Sequence, residues 1–229
     1  MFMTLLKGHW QLILITVLVF VFWNTLVILP LKILVVFLHE LSHGIAGILT
    51  GGSIERISLS IHQGGYALIR GGNPFLILTA GYLGSLLLGM LLLTVALRSH
   101  ADRFVLGLFG GVMLLVTLLY IRDPFPMAFC AGVGLAMLAM ARFLERKACD
   151  MVLRIIGLTS MIYVPYDIFD DTIRRPGVRS DAYMLAEQFG GNTMIWGGLW
   201  LLISVVAIYF CLKNLLGRES NLRFDLKIR

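Results

Sequence analysis

Charge is scarce in this sequence. Asp, Glu, Lys and Arg make up 14% of it, against roughly 25% in ordinary soluble domains, while apolar and aromatic residues reach 59%. So little charge cannot cover a water-facing surface, which excludes a soluble globular protein and points to a membrane one. Cysteine is also sparse: Cys130, Cys149 and Cys211 are far apart and form no C-x-x-C pair, so neither a disulfide frame nor a thiolate metal site is indicated. Internal repeats, low-complexity linkers and any region large enough for a separate soluble domain are missing. No small-residue cleavage site follows the first apolar run, which therefore reads as a retained span and not a removed signal peptide. The formal net charge is +6, yet no basic helix interleaved with aromatics suggests nucleic acid; the surplus suits loops that meet the anionic head groups of a lipid bilayer.

What the chain does have is apolar length. Crossing a bilayer takes about 20 mostly apolar residues at about 1.5 Å rise each. Seven stretches qualify: Gln11 to Leu29, Leu31 to Leu49, Phe75 to Leu97, Phe104 to Ile121, Pro126 to Leu144, Met151 to Phe169 and Met194 to Leu212. The first two are separated only by Leu-Pro-Leu-Lys around Pro30 and Lys32, which suits either a tight reversal or one long kinked segment. Between the second and third runs, Ile54 to Ile61 alternates apolar and polar from Arg56 onward. His62-Gln63-Gly64-Gly65 then reads as a turn and Tyr66 to Ile69 as a returning strand. The expected fold is an all-α polytopic membrane protein of six to seven transmembrane helices, with a short β-hairpin between the second and third. It forms one membrane domain over 1–229 with its core at 31–200. With seven spans, seven of the nineteen Lys and Arg fall on the side of the amino terminus and twelve on the other, five of them from Lys213 to Arg229. The positive-inside rule then places the carboxyl terminus in the cytosol.

Ionisable groups inside spans are costly and mark functional sites. His39, Glu40 and His43 sit near the middle of the second run, in VVFLHELSHGI; Arg154 lies near one end of the sixth run and Asp167, Asp170 and Asp171 near the other. On a helix, His39 and His43 are i and i+4 and can share a metal ion, with Glu40 beside them. This H-E-x-x-H pattern suits zinc chemistry: two neutral imidazoles hold Zn²⁺, the ion acidifies a water, and the glutamate takes its proton. With five His and five Glu in the chain, a chance match has odds of about 1 in 400.

Two histidines need a third protein ligand. Pro165 removes a backbone donor and is expected to kink or restart the helix just before Asp167, Asp170 and Asp171, which at i, i+3 and i+4 share one face. Asp167 is the deepest and the first choice of ligand, with Asp170 and Asp171 as alternatives. Ser180 is expected to cap a short helix through Asp181, Ala182, Leu185 and Glu187, with Asp181 a first-turn residue that meets the helix dipole and not a ligand. Rows of small residues, Ala80-Gly84 and Gly81-Ser85-Gly89 in the third span and Gly44-Gly47-Gly51 on the motif helix, predict close packing of these two helices.

An HELSHG motif on a membrane helix, a glycine-rich excursion, the small-residue span AGYLGS at 80–85, then YDIFDD at 166–171 and SDA at 180–182 resemble the site-2 protease family of intramembrane zinc metalloproteases, closest to its compact, B-like branch. The resemblance covers roughly Leu31 to Trp200. It implies that His39 and His43 bind zinc, that Glu40 is the general base, and that an aspartate of a later span completes the site. It also implies that the hairpin offers an edge strand to an unwound membrane protein or peptide substrate. The chain departs from the better known members in lacking an N-x-x-P-x-x-x-L-D-G motif around the third ligand, which leaves Asp167, Asp170 and Asp171 open. The rival readings are a metal-binding or ion-coupled transporter and a protease-like scaffold without activity. Glu40 separates them, since a transport site has no need of a base next to a ligand. Substrate-binding residues, substrate identity and oligomeric state are not legible.

Overall fold

The computed structural model describes residues 2–175 and 177–222, with side chains from Leu6 onward. Its helices are α1 (Phe2–Val21), α2 (Leu29–Leu49), α3 (Pro74–Arg98), α4 (Asp102–Tyr120), α5 (Pro124–Phe143), α6 (Arg146–Phe169), α7 (Asp181–Phe189) and α8 (Thr193–Leu215). Between α2 and α3 run two strands, β1 (Ser53–Leu59) and β2 (Gly65–Arg70), paired antiparallel. Side-chain caps and prolines set several starts. Asn73 accepts from Leu76 N at 3.2 Å with Pro74 at the first helical position, and Asn192 accepts from Ile195 N at 2.9 Å.

Among the described residues, six helices are long and apolar enough to cross a membrane: α2 to α5, α6 with its extension to Arg174, and α8. These make the chain a multi-pass integral membrane protein. The first expected span is a shorter apolar helix, Leu6–Val21, interrupted by non-helical backbone at His9. The reversal between α1 and α2 lies at 22–28, upstream of the expected Leu-Pro-Leu-Lys; Pro30 starts α2 and Lys32 belongs to its first turns. Proline at a helix start needs no hydrogen-bond donor, so it opens the helix it had been expected to precede. The charge count that put the carboxyl terminus in the cytosol rests on seven crossings, and residues 223–229 of that tail lie outside the described residues.

The most buried helices are α2 and α6, which pack against α3. The small residues of α3 serve two neighbours. A Cβ on Gly84 would touch Ser42 of α2, and one on Gly89 would touch Ser160 of α6. Gly44 and Gly47 of α2 face the hairpin instead, beneath Ile54 and Ile69. The hairpin thus lies along α2. A bulge between Ile54 and Arg56 accounts for alternation that begins only at Arg56, and it leaves Ile57 and Leu59 buried. Asp123, just before α5, holds β1 by pairing with Arg56 and by accepting from the Ser58 hydroxyl at 2.6 Å. Arg154, buried in α6, is paired with Asp150 one turn away and donates to Ser220 O, a structural role.

Candidate metal centre

Helical spacing places the His39 and His43 rings side by side, with centroids 4.7 Å apart. The Nδ1 of His43 lies 2.7 Å from the carbonyl of Ile77. A carbonyl only accepts, so that nitrogen carries the proton and Nε2 of the neutral ring offers its lone pair to the site. His39 rests edge-on against Tyr82 of α3, at 4.8 Å between centroids. Glu40, one residue on, is 4% exposed. It points toward the start of β2, where a Cβ on Gly65 would fall 2.6 Å from its Oε1.

The third group comes from α7. Ser180 caps that helix by accepting from Tyr183 N at 3.3 Å, and Asp181 in its first turn is 6% exposed. Its Oδ2 stands 3.0 Å from His39 Nε2 and 3.2 Å from His43 Nε2. Among the described residues, His39, His43 and Asp181 are the group of three whose ligating atoms converge, all within 4.8 Å of one another.

The expected ligand Asp167 does not join them. Asp167 and Asp171 line the same cavity of about 440 Å³. Asp171 accepts from the Tyr82 hydroxyl at 2.6 Å and from Arg175 at 2.9 Å, while Asp170 turns to Arg175 at 2.6 Å. The cause is the course of α6. It runs through Pro165 without ending and continues as a π-helical turn, Asp170–Arg174, so its carboxylates pass beside the imidazoles. The chain then folds back, and α7 brings its first turn to them. Ranking carboxylates by depth in a span misses this. The available signal was the buried face of α7: Asp181 and Leu185 are i and i+4, and both are buried with Ala182.

The residues fit a metal ion on structural grounds. Asp181 Oδ2 is buried without a hydrogen bond, although two imidazole nitrogens are near enough. Without a proton between them such lone-pair atoms repel one another, and a cation placed among them removes that repulsion. A Cβ on Gly81 of α3 would lie 2.5 Å from His39 Nε2 and 2.6 Å from Asp181 Oδ2, so glycine keeps open the space these atoms face. Two nitrogens and a carboxylate oxygen form a donor set suited to Zn²⁺.

The family model described as Peptidase M50B-like matches residues 12–211, most of the chain. The chain belongs to that family. This agrees with the resemblance to site-2 proteases and makes the protein a membrane peptidase of the M50B-like kind. No curated protein and no solved structure matches it.

Proposed function

We infer that this M50B-like peptidase is an intramembrane zinc metalloprotease that hydrolyses peptide bonds of membrane-embedded substrates, with His39, His43 and Asp181 as zinc ligands and Glu40 as general base. The observation that carries this reading is the convergence of two imidazoles and a buried carboxylate over Gly81, with Glu40 adjacent. Zinc on these ligands would act as a Lewis acid that lets water lose a proton near neutral pH. Glu40 accepts that proton and passes it to the departing amine as the water oxygen bonds to the scissile carbonyl carbon and the C–N bond breaks.

Substrate positioning falls to the hairpin. Gly64 of the turn and residues 65–67 at the start of β2 line the cavity, whereas no β1 residue does. In a two-stranded sheet the outer edge of β2 is unpaired, and an extended segment can add to it through backbone hydrogen bonds. A helical substrate must unwind before its carbonyl is accessible, and such pairing compensates for the lost helical bonds.

The test is zinc content together with cleavage of a single-span substrate by protein purified in detergent. Glu40→Gln should keep its zinc and lose at least about 10²-fold in rate. A Glu40→Gln variant that still cleaves at the wild-type rate sinks the mechanism; wild-type protein that holds zinc and cleaves nothing supports the inactive-scaffold alternative.

A further inference from the structure

The reversal between α1 and α2 and the tip of the hairpin enclose a second cavity, of about 380 Å³, outside the metal centre. Lys32, Trp23, Asn24, Thr25, His62 and Gln63 line it. Lys32 is 6% exposed, with its Nζ 4.3 Å from the centroid of the Trp23 ring. An ammonium has three N–H donors. Among the described residues none of them meets an acceptor, and Asp167 acts on Lys32 only through its charge. The Trp23 ring face and the charge of Asp167, which makes no hydrogen bond to the ammonium, each offset part of the cost of withdrawing this cation from water, not all of it. The remainder calls for an anion.

The surroundings say which kind. Trp23 follows the end of α1 and Lys32 sits in the first turns of a span, the level at which tryptophan and lysine meet lipid head groups. On the same reversal, Leu26 is 82% exposed and Val27 67%, apolar surface of the kind acyl chains cover. The Thr25 hydroxyl is already committed to Phe22 O at 2.7 Å, which leaves the amides of Asn24 and Gln63 as further donors.

We propose that this cavity binds an anionic phospholipid, its head-group phosphate accepting from Lys32, Asn24 and Gln63 and its acyl chains lying over Leu26 and Val27. Such a lipid would brace the hairpin tip. His62 and Gln63 line both cavities, and the Tyr163 hydroxyl donates to Gln63 O at 3.4 Å. The site stands independently of the protease reading, since it uses none of the metal-centre residues.

The test titrates delipidated, detergent-purified protein with phosphatidylglycerol or phosphatidylcholine and counts bound lipids by native mass spectrometry. Lys32→Met keeps side-chain length and removes the charge. Wild type should hold one phosphatidylglycerol at least about ten-fold more tightly than phosphatidylcholine, and Lys32→Met should abolish that preference. Asn24→Leu, a second variant in case Lys32→Met fails to fold, should weaken it several-fold. Equal affinities in wild type, or an unchanged preference in the folded variants, overturn the proposal. So does inorganic phosphate that displaces the lipid at matching concentration, which would make the cavity a free-anion site. A lipid preference that survives in Lys32→Met while KM rises for substrates with an acidic residue would also overturn it, assigning the cavity to substrate. Zinc content of these variants stays at the wild-type level, so failure here is distinct from failure of the metal centre.

Discussion

Replacing Gly81 by alanine adds one methyl group to the face of α3 that meets the His39 and His43 rings. On the existing backbone the new Cβ lies 2.5 Å from His39 Nε2, 2.6 Å from Asp181 Oδ2 and 2.6 Å from His43 Cε1. Comfortable contacts begin near 3.5 Å, so all three are about 1 Å too close. None retreats freely. His43 is held by the Ile77 carbonyl, His39 by Tyr82, and Asp181 by the capped start of α7. Overpacking of this size costs about 1–3 kcal/mol, and alanine in place of glycine within a helix offsets about 1 kcal/mol of it. The net loss is then at most about 2 kcal/mol, and the variant should fold. Its metal centre should fail, because the methyl fills the space the three ligating atoms face. Even changes outside the ligand set lower zinc affinity about 10–100-fold, so a loss of at least that size is expected here. The assay is metal analysis by plasma mass spectrometry beside thermal unfolding of the apo-protein and cleavage of a single-span substrate. Gly81→Ala protein that is folded, fully loaded with zinc and as active as wild type would refute the reasoning.

Aspartate variants separate the candidate ligands: Asp181→Ala should lose zinc while Asp167→Ala and Asp171→Ala keep it, and zinc retained in Asp181→Ala together with loss in Asp167→Ala would return the site to α6. Asp123→Ala should act through the hairpin. Arg56 and Ser58 lose their common acceptor, at a cost of about 1–2 kcal/mol for a partly exposed charge-assisted pair. The expected result is a raised KM with zinc content unchanged, and an unchanged KM would show that the clamp does not position the hairpin.

Much of the architecture is local and therefore legible in the chain. Apolar runs near bilayer length became long helices because a backbone in hydrocarbon must satisfy its own hydrogen bonds. The hairpin could be read because the period changes from helical to alternating at Arg56, where the bulge ends. Pro30 was read as a break, yet it is a start. Both readings respect the missing donor, and only the packing of the reversal at 22–28 chooses between them. Pro165 was likewise expected to interrupt α6, whose irregularity instead lies at Asp170–Arg174.

By itself, the sequence determined the membrane class, the helical pairing of His39 with His43 and the place of Glu40 beside them, since all three follow from composition and the 3.6-residue period. Tertiary structure alone decided the partner of that pair. Asp181 lies 138 positions beyond His43 in the chain, and neither period nor depth along α6 connects them; the return of the chain after Arg174 and the burial of one face of α7 do. It also decided that Gly81 clears the space in front of the imidazoles, that Gly65 meets Glu40 and that Lys32 faces the second cavity. Each depends on which helix faces lie opposite one another, and that is settled by packing among elements far apart in the chain.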